Sequence, residues 1–277
     1  MNVPLIYRAS SGKEYNLKTD GIRTKTANYH KWTWSAVGTA LQYGFRVSNF
    51  KRDPAIYTTR LIVTGTTEAR KSILENLHED FERDIRNQTP GRIIWGDYYI
   101  DCYVQTSSTE PDTNPIWTDN EITFYCPYPF WIEEVTKSFT PQEIPETEFL
   151  DYDYDFDYDY AYGNIGSVIW QRDFPFASEF MMTIFGPVAS PRISINGHPY
   201  QVNITLDEGE YLTIDSRKHT VIYQPLTGEK QNAFDLRDKV DSVFDPIPGG
   251  DIVMNWTGLF GFDLTLYQER SEPRWTT

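Results

Sequence analysis

Cysteine is scarce in this chain, with two residues, Cys102 and Cys126, among 277. They do not form a C-x-x-C pair, so no thioredoxin-type redox motif or cysteine-zinc cluster can be built on them. Two free thiols in strands are the expectation, and the low count fits a reducing compartment. Histidine is also sparse: His30, His78, His198 and His219 show no metal-ligand spacing such as H-x-x-x-H. The sequence has no G-x-S-x-G elbow, Walker loop or dinucleotide fingerprint. Gly258-Leu259-Phe260-Gly261 lies among strand patterns and not at a helix start, so it does not read as a phosphate cradle. Mean hydropathy is −0.53 and no apolar run approaches membrane-spanning length, so no membrane association is expected. The first residues, MNVPLIYRASSGKEYNL, lack a basic stretch followed by an apolar core, so no leader is read there. These absences leave no catalytic, cofactor-binding or metal-ligating residue to assign. A non-catalytic protein without a cofactor is expected.

A basic excess is missing too. Net charge is −15, whereas a domain that grips nucleic acid carries surplus cations to neutralise phosphates. Tight nucleic-acid binding is therefore not expected. The charge is unevenly spread. Residues 1–140 sum to −1, residues 141–162 to −8 and residues 163–277 to −6, and no Lys or Arg occurs anywhere in 138–171.

What the chain does have is aromatic mass, 16% of residues, and each ring buries a large area. The length suits two domains. Asp20-Gly21 marks a tight turn, and Trp32 to Val47 mixes β-branched and aromatic residues with Gly38 and Gly44. Thr58 to Gly65 reads as a strand ending at glycine. One helix follows. Thr66 or Thr67 caps it, Glu68 lies in its first turn, and Ile73, Leu74, Leu77, Phe81 and Ile85 form an apolar stripe at steps of three and four. Glu75, Glu79, Glu82, Arg83 and Arg86 take the other side, and Pro90-Gly91 stops the helix. A hairpin, Arg92–Trp95 and Tyr98–Val104, turns at Gly96-Asp97. Thr106 to Asn120 reads as a polar loop containing Pro111 and Pro115. The strand Glu121–Cys126 ends at Pro127 and Pro129, with Phe130-Trp131 as an apolar plug.

Asp151 to Tyr160 alternates acid and ring. In an extended chain this puts every carboxylate on one face and every ring on the other. The segment is expected to be ordered, with its rings on a domain surface. Its aspartates do not make a calcium loop, because the glycine and glutamate that an EF-hand requires are missing. Paired carboxylates could suggest glycoside hydrolysis, but with 40 acids chance pairs abound. Trp170 or Trp256 could stack on a sugar, although core packing is the commoner role. The last third alternates throughout. Pro191–Ile195 meets an Asn196-Gly197 turn; Tyr200, Val202, Ile204 and Leu206 alternate with polar residues; Tyr211–Ile214, Thr220–Tyr223 and Phe260/Phe262/Leu264/Leu266 follow. Short strands at this spacing with no helix between them predict an antiparallel sandwich.

Three stretches resemble the distal tail protein (Dit) family of long-tailed phages of Gram-positive hosts. The first is the N-terminal order of strands and one helix, closing on Cys126-Pro127-Tyr128-Pro129-Phe130-Trp131. The second is the Asp-Tyr segment, which here lacks the internal prolines that relatives carry. The third is the C-terminal set Ile195-Asn196-Gly197, Gly209 to Asp215, Phe262 to Leu266, and Arg270 to Trp275. The resemblance implies a mainly β chain. Its N-terminal, ring-forming domain (1–137) is similar to tail-tube proteins, with a β-barrel or split sheets and one flanking α-helix. An acidic Asp/Tyr-rich linker (138–165) and a C-terminal galectin-like β-sandwich (166–277) follow. It further implies a homo-hexamer ring at the distal end of the phage tail. That hub joins the tail-tube protein to the tail-tip protein and supports receptor-binding proteins, as a structural virion component made in the host cytoplasm. The alternative is a carbohydrate-binding accessory module for host-wall adhesion. The Thr106–Asn120 loop is the expected tube or ring contact, motivated by its length and polarity.

Overall fold

The computed structural model describes residues 3–19, 21–110, 114, 116–141 and 166–275. The Asp-Tyr segment lies outside the described residues. The fold is mainly β with one α-helix, as expected. In chain order the first elements are β1 (Leu5–Arg8), β2 (Glu14–Asn16), β3 (Ile22–Ala27), β4 (Ser35–Ala40), β5 (Phe45–Lys51), β6 (Ala55–Thr64), α1 (Thr67–Arg86), β7 (Gly91–Trp95), β8 (Tyr98–Thr109), β9 (Trp117–Cys126) and β10 (Trp131–Phe139). There follow β11 (Gly166–Trp170), β12 (Glu179–Phe185), β13 (Val188–Ala189), β14 (Arg192–Ile195), β15 (His198–Gln201), β16 (Thr205–Leu206), β17 (Tyr211–Asp215), β18 (Thr220–Gln224), β19 (Gln231–Asn232), β20 (Ile252–Trp256) and β21 (Phe262–Arg270). The chain divides into two compact units, one of Met1–Glu133 with Glu269–Thr277, the other of Glu134–Gln268. The last nine residues thus belong with the N-terminal unit.

In the first unit, β3, β6, β9 and β8 pair in that order, and β8 also leads through β7 and β1 to β2, all antiparallel. On β6 the residues Tyr57, Thr59, Leu61 and Val63 are buried and their neighbours are not, the period of two that a half-buried strand requires. Strand β8 runs on to Thr109 and β9 begins at Trp117. Most of the polar stretch Thr106–Asn120 is therefore a hairpin extension rather than the expected loop. Serine and threonine suit a solvated strand, and here they hold its register. Asn120 donates to Ser107 Oγ (3.1 Å) and Thr109 Oγ1 (2.8 Å) across the ladder.

Helix α1 starts as read, with Thr66 Oγ1 accepting from the Ala69 amide at 3.3 Å. Its inward stripe differs from the expectation. Leu77 and Phe81 are buried, but Ile85 is 46% exposed, while Arg70, Asp80 and Asp84 are buried. The acids face the tyrosines of β1 and β2. Asp84 accepts from Tyr7 OH (2.6 Å), the Ser10 amide (3.0 Å) and Ser10 Oγ (2.5 Å), and Asp80 accepts from Tyr15 OH (2.5 Å) and pairs with Arg83. Burial, and then the hydrogen bonds to these carboxylates, push both tyrosine pKa values above their ordinary range. Gly91 makes the network possible, since a Cβ there would sit 2.6 Å from Tyr7 OH and 2.7 Å from Asp84 Oδ2.

The second unit has one sheet of β19-β18-β17-β12-β21 and another of β11-β20-β14-β15. Both contribute to one core. Phe180, Met182 and Ile184 of β12, and Phe262, Leu264 and Leu266 of β21, join Ile193, Ile195, Tyr200, Ile252 and Met254 from the other sheet. Phe180 and Tyr200 meet edge to face at 5.3 Å. This is the predicted antiparallel sandwich. At its Asn196-Gly197 turn both residues have positive φ, 49° and 87°, as a tight hairpin needs.

Replacing Asp84 with alanine strands the buried Tyr7 hydroxyl and the half-buried donors of Ser10. It is expected to cost about 3 kcal/mol in denaturant unfolding followed in the first unit, with Asp84→Asn costing less.

Candidate assembly surface

The feature of the first unit that burial does not explain is β4–β5. Its strands pair only with each other among the described residues, and nearly every position is exposed. Residues Trp32 to Arg52 therefore form an arm whose turn closes with the Leu41 amide on Gly44 O (3.1 Å), Gly44 at φ 90°. Ladder partners share a face, so the register tells which side chains lie together. Ala36 pairs with Phe50, Gly38 with Val47 and Ala40 with Phe45. A bulge at Ser48, held by Ser48 Oγ on Val37 O (2.9 Å), skips one residue of β5 and keeps all three large side chains on one face. Opposite them stand three small residues. Gly38 is required, because a Cβ would lie 1.9 Å from Arg46 O and 3.0 Å from the Phe45 ring. The result is an apolar stripe in water.

The arm's root is ordered by aromatic and cationic groups. The Arg52 guanidinium lies 5.5 Å from the Trp34 ring and 4.7 Å from the Phe130 ring, which are themselves 6.0 Å apart. Arg52 also donates to Ser271 Oγ (3.2 Å) and Ser271 O (3.4 Å) in the returning C-terminal segment. Burial lowers the Arg52 pKa from its ordinary value. The Pro-Tyr-Pro-Phe-Trp stretch serves this root. Phe130 meets Trp34 edge-on and carries the Arg52 guanidinium, Tyr128 OH donates to Glu269 (2.5 Å), and the fully buried Trp131 donates from Nε1 to Tyr57 OH (3.2 Å). Close by, His30 stacks on Trp275 at 3.7 Å and meets Trp95 edge-on at 5.4 Å. Burial lowers the His30 pKa, outweighing the opposite pull of Glu272 and of a hydrogen bond with the Pro273 backbone.

A second surface feature is a shallow groove of about 550 Å³ lined by Ile85, Gln88, Tyr103, Val104, Gln105 and Tyr125. The exposed end of the α1 stripe thus forms one wall of a depression, and Tyr103 OH donates to Gln88 O (2.9 Å) across it.

The two cysteines are brought together. Both are free and buried, and the Tyr103↔Tyr125 register puts Cys102 opposite Cys126 across β8–β9. Burial, and then a hydrogen bond with Cys126, push the Cys102 thiol up. The histidines are placed apart. His78 Nε2 meets Ser107 Oγ (3.0 Å), His198 Nε2 meets Ser242 O (2.8 Å), and His219 lies by Phe244 at 5.2 Å. Among the described residues no group of three or more His, Cys, Asp or Glu could hold a metal ion. Trp256 is in the sandwich core and donates to Phe260 O (3.1 Å), while Trp170 packs partly buried against that core. Among the described residues no helix is long and apolar enough to cross a membrane.

No protein-family model and no curated protein matches the sequence. Solved structures do. The Dit protein (gp 19.1) of phage SPP1, described as a paradigm of the hub adsorption apparatus in phages infecting Gram-positive hosts, superposes with a TM-score of 0.65 at 11% identity, covering 98% of this chain and 100% of that one. The chain has the Dit fold. A chain of the phage P2 baseplate, activated with Ca, shares this fold with a TM-score of 0.65 at 13% identity, and one activated with Sr with 0.66 at 12%. Each covers 99% of this chain and 100% of its own. At these identities few side chains are shared, so the Dit fold is carried by burial pattern and topology.

For His30 the folded pKa lies below the ordinary value near 6.5. As pH falls through that value the unfolded chain takes up the proton first, so stability is full above it and declines towards the lowered folded pKa. Unfolding midpoints measured from pH 7 to 5 should fall for the natural chain and fall less for His30→Gln.

Proposed function

We propose that this chain is a structural protein of a phage tail, the hub at the distal end that joins the tail tube to the tip or host-adhesion device. The observation that carries this reading is the match, over 98% of this chain and 100% of the other, to a protein described as an adsorption-apparatus hub. The likeness to two baseplate chains supports it. On this reading residues 1–137 build a six-membered, tail-tube-like ring, 138–165 link, and 166–277 form a galectin-like sandwich. Partners are the tail-tube protein, the tail-tip protein and receptor-binding proteins, and the role requires no catalysis and no cofactor. A hairpin that joins no other strand among the described residues, with an exposed apolar stripe, suits a protein that completes itself by assembly, because a head-to-tail contact repeated by rotation closes into a ring.

Native mass spectrometry and electron microscopy of the purified chain should show a closed ring of six copies. A chain that stays monomeric both alone and in the presence of tail-tube protein would refute the hub.

A further inference from the structure

The chain holds two thiols and no third, and the fold sets them side by side. The β8–β9 register runs through Val104↔Phe124 and Tyr103↔Tyr125, so its next step puts Cys102 against Cys126. Ladder partners share a face of the sheet, and both side chains are wholly buried in the core of the first unit. Directly opposed residues of an antiparallel pair have Cα atoms ~4.5–5.5 Å apart, inside the roughly 4.4–6.8 Å that a disulfide spans.

The flanking strands leave room for the bond. Cys102 faces Gly91 on β7 and Cys126 faces Ala55 on β6, so across four strands the row reads Gly91, Cys102, Cys126, Ala55. Small residues on both sides let the sulfurs turn towards each other without meeting a large side chain within the row. Access is the constraint. The thiolate is the nucleophile, and burial, then the hydrogen bond with Cys126, push the Cys102 thiol up, so a closed core reacts slowly. The pair nevertheless lies at the end of its ladder. Cys126 is the last residue of β9, and Pro127 has no N–H with which to continue the pairing. Opening that strand end is a local event, short of unfolding the unit, and it exposes both sulfurs.

We propose that Cys102 and Cys126 are a redox-responsive pair that closes to a cross-strand disulfide in the folded chain when it meets a small-molecule disulfide oxidant, clamping the end of β9 to β8. One protein thiolate attacks the small disulfide, forms a mixed disulfide and expels one small thiol. The facing thiolate then attacks the protein sulfur of that mixed disulfide and expels the second. Two protein thiols give up two protons and two electrons, which reduce one small disulfide to two thiols. The hub reading does not require this chemistry. On that reading the chain is made in a reducing cytoplasm and works outside it, so the oxidant arrives only after folding.

The test uses the full chain, reduced, freed of reductant, incubated in its folded state with oxidised glutathione and then unfolded in N-ethylmaleimide. The intact mass should be that of a monomer lighter by two hydrogen atoms that takes up no maleimide, and a digest should contain the Cys102 peptide joined to the Cys126 peptide. The linked chain should unfold at a higher denaturant concentration, and dithiothreitol should erase the difference. In Cys126→Ala the same treatment should leave the midpoint unmoved. Two alkylated cysteines after oxidation, glutathione adducts that never resolve, or dimers linked between chains overturn the proposal, as does a link that forms only when oxidation is carried out in denaturant. A linked chain with an unmoved midpoint overturns the clamp. The hub reading stands or falls separately, on the ring.

Discussion

The packing of the Arg52 guanidinium against both Trp34 and Phe130 is the interaction on which the exposed half of the first unit depends. A hairpin with one apolar face and no sheet to join has no reason to hold a direction in water. Three cationic or aromatic groups at its base, plus two hydrogen bonds to Ser271, give it one. A lysine could not replace this arginine, because only a planar guanidinium can stack on a ring while its edge donates to Ser271. The same contact explains why the chain returns to its first unit at the end. Glu269 accepts from Tyr128, Ser271 from Arg52, and Trp275 covers His30.

A second network ties the helix of this unit to its first strands. The hydroxyls of Tyr7 and Tyr15 reach two buried aspartates on α1, tying the helix to β1 and β2. Charged groups are costly to bury, so they persist where each is satisfied. Asp84 has three donors around it and no room for a side chain at Gly91. A helix tied in this way presents a fixed outer side, which ends at the groove beside Ile85. The first unit thus combines a tied interior with an uncovered apolar stripe on its surface.

Much of the fold could be read from residue order. The helix cap at Thr66, the stop at Pro90-Gly91, the Arg92–Val104 hairpin and the Asn196-Gly197 turn are local matters of backbone geometry, and the structure has them where the residues demand. The sandwich followed from alternation alone, because a strand buried on one side must alternate. The stretch Thr106–Asn120 misled because polarity was taken for irregularity. Serine and threonine pair well in a ladder, and here β8 is exposed from Gln105 to Thr109 while Thr118 and Asn120 of β9 are buried. Ile85 misled in the opposite sense, since its helical spacing places it on the stripe but cannot say that β8 and β9 leave an open groove beside it.

What the sequence by itself determined is therefore the list of elements, their turns, and the absence of catalytic and metal-ligand motifs, each of which depends on residues close together in the chain. Only the tertiary structure decided which surfaces stay open. It put Asp80 and Asp84 inside, set Cys102 opposite Cys126, brought Ser271 to Arg52, and left the arm's stripe uncovered. Burial is a property of what lies across from a residue, and those neighbours are distant in the chain. Trp34 and Arg52 left one faint local sign, a run from Trp32 to Arg52 rich in rings and free of acids in an otherwise acidic chain.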